Sequence, residues 1–242
     1  MLNRHSPTLA AWSAHAFTAT GVFTALLATL SLFEDKPQAC LLWLGVALLV
    51  DGVDGSLARR VNVREVLPHF DGSVLDLVID FLTYVFIPAL FIYKYIPLPQ
   101  YTLLFTTTVI LISSLFCFCN VNMKSSDNYF VGFPAAWNVV ALCLYILTPP
   151  AWLTLVTVLG LAVLTVSPMK FLHPFRVRRF MPVNIAVTFG WLLTSLWLIV
   201  IRPELGAVPL TLWLACSAYF VGVCVWRTAL EWKGRLGVSR RF

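Results

Sequence analysis

The chain is 242 residues long, 60% hydrophobic and only 12% charged, with a formal net charge of +6. A charged share about half that of ordinary soluble domains excludes a soluble globular fold. The basic residues are spread over loops between apolar runs, so nucleic acid is a poor partner, whereas anionic headgroups and phosphorylated ligands suit them.

Membrane spans need roughly 20 apolar residues each, and such runs are predicted at about 10–32, 38–58, 73–95, 99–119, 133–148, 151–168, 183–201 and 207–229. The first follows Arg4 but is too long for a signal peptide and lacks a small-residue cleavage site, so it reads as a retained span. The fifth and sixth are short and joined by Pro149-Pro150; Pro97/Pro99, Pro174 and Pro203 mark further turns. No polar stretch exceeds about twenty residues, so residues 1–242 read as one all-α transmembrane domain of about eight helices.

Lysine and arginine orient these spans. With the N-terminus placed in the cytoplasm, only Lys36, Lys94 and Arg202 of the seventeen basic residues fall on outer segments. The others lie on cytoplasmic segments, from Arg4 through the Arg59, Arg60 and Arg64 group to Arg227, Lys233, Arg235, Arg240 and Arg241. One span more or fewer would spoil the alternation, so both termini are expected to be cytoplasmic. The six cysteines lie in or beside apolar runs without a C-x-x-C pair, and read as reduced packing residues.

Six of the eleven acids fall within residues 51–80: Asp51, Asp54, Glu65, Asp71, Asp76 and Asp80. On helices, Asp51 and Asp54 share a face with Ala58, and Gly72, Asp76 and Asp80 recur every four residues. The second span meets its acids in its last turns and the third in its first turns. Four carboxylates are therefore expected at one shallow depth on neighbouring helices. An Asp at a helix centre in a bilayer costs about 2.5–3.5 kcal/mol, so four would cost on the order of 10 kcal/mol if unpaired, and less near the interface. Arg59 and Arg60 cannot neutralise four carboxylates. A divalent cation can, and an all-oxygen donor set selects hard ions such as Mg²⁺ or Mn²⁺. Four carboxylates suffice for two metals about 3.5–4 Å apart. Gly55, Ala58 and Gly72 would let a bulky phosphorylated ligand approach the backbones. A metal-free polar helix seam is one alternative. A cation pathway in a transporter is another, but it calls for acids spread through the membrane depth.

The order D-x2-D-G-x2-A-R-x12-G-x3-D-x3-D, from Asp51 to Asp80, resembles the signature of the CDP-alcohol phosphatidyltransferases, integral membrane enzymes of phospholipid synthesis. The twelve residues between Arg59 and Gly72 exceed the usual gap and resemble the bacterial branch that joins free choline to CDP-diacylglycerol. HAFTATG at 15–21, MKSSDNYFVGFPAAWN at 123–138 and KFLHPFRVRR at 170–179 resemble the same branch. The resemblance implies metal-binding roles for Asp51, Asp54, Asp76 and Asp80, with two Mn²⁺ or Mg²⁺ ions, and a general-base role for Asp80. Gly55, Ala58, Arg59 and Gly72 would line the CDP-diacylglycerol site. Asp71 falls outside the motif and reads as a loop or helix-cap residue.

The implied reaction is attack of an alcohol oxygen on the lipid-side phosphorus, with loss of CMP. Choline is the expected acceptor; serine, glycerol phosphate and inositol phosphate are the alternatives. The implied setting is the bacterial inner membrane, with the active site facing the cytoplasm and a homodimer among the assemblies allowed. Lys170, Arg176, Arg178 and Arg179 either set topology or hold a lipid phosphate. Choline offers no N–H donor and needs aromatic faces or carboxylates. Trp12, Phe17, Tyr84, Tyr129, Phe133 and Trp137 are the candidates, although an aromatic-rich chain places most such rings in packing or interfacial belts.

Overall fold

A computed structural model describes residues 5–121 and 123–239, with side chains over 7–121 and 123–233. Arg4, Arg240, Arg241 and the Arg235 side chain lie outside the described residues. The chain divides into two compact units, Met1–Thr107 with Ala136–Thr148, and Thr108–Ala135 with Pro149–Phe242.

In the first unit, α1 (His5–Phe33) packs on α2 (Pro37–Arg60) and on α4 (Gly72–Asp80). The sequence permits this through a seam of small residues. Ala11, Ala14, Ala25 and Ala28 on α1 are at most 4% exposed, and a Cβ on Gly21 would stand 2.5 Å from Ile79 Cγ2. Small side chains let membrane helices approach to backbone contact, where dispersion replaces the missing hydrophobic drive. Asp71 caps α4, its Oδ1 accepting from the amides of Ser73 at 2.9 Å and Val74 at 3.3 Å. It is thus the cap residue expected. The connection to α4 holds the short helix α3 (Val63–Val66).

The third span is continuous but not uniform. Between α4 and α5 (Ile87–Tyr95) the backbone widens into a π-helical stretch, Phe81–Phe86, in which the Ile87 amide donates to the Leu82 carbonyl. Pro88 supplies the reason. It has no N–H for the Tyr84 carbonyl, and its ring crowds that group in α register. A wide turn just before it relieves both problems.

Among the described residues, six helices are long and apolar enough to cross a membrane: Pro7–Phe33, Pro37–Arg60, Gly72–Tyr95, Gln100–Phe118 (α6), Met181–Ile201 (α9) and Ala207–Lys233 within α10 (Ala207–Ser239). The fifth and sixth predicted runs form shorter helices, α7 (Trp137–Leu147) and α8 (Ala151–Thr165).

In the second unit α9 packs along α10. The Trp191 and Trp213 rings stack at 5.9 Å. Their indole N–H groups donate to Ser217 Oγ at 3.0 Å and Ser195 Oγ at 2.9 Å, so neither donor is left bare in an apolar seam. The all-α expectation misses one small feature. Strands β1 (Phe130–Val131) and β2 (Lys170–Phe171) pair antiparallel, joining Val131 to Lys170 and Phe130 to Phe171. Gly132 follows with φ of +87°, and a Cβ there would collide with the Thr165 carbonyl. Cys119 is exposed, against the expectation of burial, whereas Cys40, Cys117 and Cys224 are buried; all six cysteines are free thiols.

Candidate active site

Helix α2 runs as α-helix to its basic end, and this carries Asp51, Gly55 and Arg59 along one face at four-residue steps. Helix α4 begins at its Asp71 cap and presents Asp76 and Asp80 one turn apart. The two helices bring Asp51, Asp76 and Asp80 together, each offering a carboxylate oxygen within 4.8 Å of the others. Asp54 stands beside this triad on α2. It is 5% exposed, and its carboxylate meets the Thr18 side chain and the Gly55 backbone.

The donor set is all oxygen and the spacing suits a hard cation. Ligands on opposite sides of an ion with 2.0–2.4 Å bonds stand about 4–4.8 Å apart. Three carboxylates at that separation, half-buried between helices, repel one another unless a cation or a shared proton lies among them.

The π-helical stretch adds a contact to the acid cluster. Tyr84, proposed as a choline-facing ring, donates its hydroxyl to Asp51 Oδ2 at 2.6 Å. The π turn directly after Asp80 shifts the helical register and brings Tyr84 to α2. A proline eight residues after Asp80 was the signal in the sequence for such a register change.

The small residues divide the work. Arg59 lies back along α2: its Nη2 donates to Ser56 Oγ at 3.0 Å, and its Nη1 stands 3.2 Å from where a Cβ on Gly55 would be. Gly55 therefore makes room for the arginine. Gly72 makes room for His15, whose Nδ1 would lie 2.9 Å from an added Cβ. The space beside Gly72 is thus filled by a ring of α1. That ring is 5% exposed and packs against Phe70 at 4.6 Å, which in turn contacts Trp12 at 5.2 Å. Ala58 is half-buried on α2.

Of the aromatic candidates in this unit, Trp12 is 47% exposed and Phe17 half-buried, whereas Trp137 is fully buried. Tyr129 and Phe133 belong to the second unit and are 2% and 6% exposed. The Tyr129 ring already carries the Arg227 guanidinium at 5.6 Å, and Phe133 packs on Phe171 at 5.8 Å.

The basic segment also separates into parts. Lys170 is 6% exposed and pairs with Glu231 at 3.3 Å. Arg176, Arg178 and Arg179 are exposed, with Arg179 stacked 4.5 Å above Trp226. Arg227 pairs with Asp127 at 2.8 Å. Burial works against the Asp127 carboxylate, but its bonds to Arg227 and Ser125 prevail and hold it below the usual range.

The profile of the CDP-alcohol phosphatidyltransferase family matches residues 11–169, a stretch that includes the whole acidic motif. The chain is 68% identical over 224 residues to a phosphatidylcholine synthase of Pseudomonas aeruginosa, covering 93% of this chain and 94% of that protein. It is 45% identical over 190 residues to a phosphatidylcholine synthase of Bradyrhizobium diazoefficiens, covering 78% and 70%. With one of Borreliella burgdorferi the identity is 31% over 178 residues, covering 74% and 76%. An acid triad built on the last turns of one helix and the first turns of the next, a family match over most of the chain and a relative matched nearly end to end lead to one conclusion: this chain belongs to the CDP-alcohol phosphatidyltransferase family.

Proposed function

We propose that this chain is a phosphatidylcholine synthase, condensing CDP-diacylglycerol with choline to give phosphatidylcholine and CMP. The observation that carries the acceptor is the 68% identity to a phosphatidylcholine synthase over 93% of the chain. The convergence of Asp51, Asp76 and Asp80 supports the chemistry.

Asp51, Asp76 and Asp80, with Asp54 beside them, would hold the divalent ions. Bound Mn²⁺ or Mg²⁺, as a pair, supplies neutralisation of the pyrophosphate and of the charge on the departing phosphate. Asp80 takes the proton of the choline hydroxyl, because a neutral alcohol is a poor nucleophile. The choline oxygen bonds to the lipid-side phosphorus, the phosphoanhydride bond breaks, and CMP leaves. Arg59, held along α2 by the space at Gly55, offers a forked donor to phosphate oxygens. Ala58 keeps that face of α2 low. Gly72 acts through packing, by admitting His15 and so fixing α4 against α1. Tyr84 orients Asp51. Trp12 and Phe17 retain ring surface for the quaternary ammonium.

The proposal includes the setting: a bacterial inner membrane, one catalytic domain, eight spans with α7 and α8 completing the count, both termini cytoplasmic and the acids on that side. The asymmetry of lysine and arginine supports this arrangement. The test is CMP release by the purified chain with CDP-diacylglycerol, Mn²⁺ and single acceptors. Choline should be turned over strongly. Ethanolamine and its mono- and dimethyl forms should decline with each methyl removed, since N–H donors without acceptors resist desolvation. Serine, glycerol phosphate or inositol phosphate supporting the reaction in place of choline would reject the acceptor, and no CMP with any alcohol would reject the chemistry.

A further inference from the structure

The second unit contains a cavity of about 1080 Å³ lined in part by Asp127, Tyr129, Arg178, Arg179, Arg227 and Glu231. It lies where two spans reach their polar ends, at the residues just before α9 and in the last turns of the α10 span. Three guanidinium groups face it against two carboxylates. Both carboxylates are engaged by cations: Arg227 lies 2.8 Å from Asp127 and 3.3 Å from Glu231, and Lys170 adds a second cation 3.3 Å from Glu231. Among the described residues, neither Arg178 nor Arg179 is in an ion pair with an acid. The cavity therefore keeps a positive surplus on its Arg178–Arg179 side. Arg179 is also preset, because its guanidinium lies 4.5 Å over the Trp226 ring and 5.4 Å over the Phe180 ring.

Those two rings belong to a second, apolar hollow. A groove of about 390 Å³ is lined by Phe180, Val183, Tyr219, Gly222, Val223 and Trp226. Residues 219, 222, 223 and 226 form one face of α10, so the groove runs about 10 Å along the helix at 1.5 Å per residue, away from the polar end and into the span. The Tyr219 hydroxyl turns inward to Asn184 Oδ1 at 2.7 Å, leaving its ring to the groove. Arg179 is the hinge between the two hollows: it lines the first and covers rings that line the second.

A cationic cavity at the end of two spans, adjoined through Arg179 by an apolar groove along α10, has the polarity of a membrane lipid in its own orientation. We propose that this pair of hollows is a binding site for an anionic phospholipid, its phosphate against Arg178 and Arg179 and one acyl chain in the groove of α10. An inorganic phosphate would use only the first hollow. A zwitterionic lipid would bring an ammonium group towards the arginine surplus. The site goes beyond the proposed reaction, because the lipid is neither donor nor acceptor.

The test uses the full chain purified in detergent, with retention of dioleoylphosphatidylglycerol read by native mass spectrometry. Dioleoylphosphatidylcholine and glycerol 3-phosphate are the comparison ligands. Phosphatidylglycerol should bind about tenfold or more tightly than phosphatidylcholine, because the arginine surplus attracts a net negative headgroup. Arg178→Gln with Arg179→Gln should remove most of that preference. Gly222→Leu tests the groove independently: a Cβ at Gly222 meets nothing within 4 Å, so a side chain is tolerated there and fills the hollow. It should weaken phosphatidylglycerol several-fold at an unchanged melting temperature. Excess CDP-diacylglycerol without choline should leave the bound phosphatidylglycerol in place. Equal binding of the two lipids, unaltered binding by both variants, displacement by glycerol 3-phosphate, or displacement by CDP-diacylglycerol would each overturn the proposal. The last result would make the cavity part of the donor site and leave the proposed reaction standing, whereas a failure of CMP release leaves this lipid site untouched.

Discussion

Replacing Asp76 by Asn should make the protein inactive and, without metal, more stable. The triad oxygens of Asp51, Asp76 and Asp80 lie within 4.8 Å of one another. At that separation and an effective dielectric of about 20, each pair of carboxylates repels by about 3.5 kcal/mol. Asp76 takes part in two such pairs, about 7 kcal/mol gross at the same dielectric. Proton uptake by one of the carboxylates, side-chain relaxation and the need to satisfy an amide in the same place absorb most of this, leaving about 1–3 kcal/mol of net relief. For a chain of this size each kcal/mol moves the melting temperature by about 2–4 °C. In EDTA, Asp76→Asn should therefore melt several degrees above the parent in a detergent thermal-shift assay. With Mn²⁺ the order should reverse. The parent gains about 2.7 kcal/mol at a hundredfold excess over Kd, and the variant, lacking a ligand, gains little. If Asp76→Asn melts lower than the parent in EDTA and keeps the full Mn²⁺ shift, the acids are a polar seam and the metal reasoning is wrong.

Tyr84→Phe removes the 2.6 Å hydrogen bond to Asp51; the Mn²⁺ needed for half-maximal CMP release should rise about tenfold, as is common when a ligand-orienting partner is lost. An unchanged metal titration would show that Tyr84 does not orient the ligand. Asp71→Asn should retain the helix cap and most activity, whereas Asp71→Ala should cost about 1 kcal/mol of stability, read as a lower melting temperature. Loss of activity in Asp71→Asn comparable to that in Asp76→Asn would move Asp71 into the site. At His173, burial first and then Arg176 and Lys124 push the imidazole from 6.5 down to about 4. The unfolded chain therefore takes up a proton near 6.5 that the folded chain refuses. The stabilising difference is present above pH 6.5 and is lost as pH falls towards 4. His173→Phe should flatten the fall in melting temperature between those limits, and parallel curves for variant and parent would refute this account.

The sequence by itself determined the membrane helices and the acid motif. A bilayer offers no partner to a bare amide or carbonyl, so a long apolar run has no choice but helix. This is why the six long spans lie where hydropathy places them, and why α7 and α8, from the two short runs, come out short. Helical periodicity then put Asp51 on one face and Asp76 with Asp80 on another; Asp71, outside the motif, reads as a loop or cap residue, and the structure makes it the cap of α4. Other features depended on contacts between residues far apart in the chain, where local pattern carries no information. Which carboxylates converge, Asp51 with Asp76 and Asp80 but Asp54 alongside, follows from how α1 seats α2 and α4 on its small-residue seam. Tyr84 reached Asp51 only because Pro88 forces a wide turn, and the size of that turn depends on packing. Gly72 was read as room for a ligand, yet His15, 57 positions earlier, fills that room. Lys170 reads from the sequence as either a topology determinant or a phosphate cation, and only the fold shows Glu231 paired with it at 3.3 Å. In each case periodicity fixed the face on which a side chain sits, and tertiary packing determined what stands opposite it.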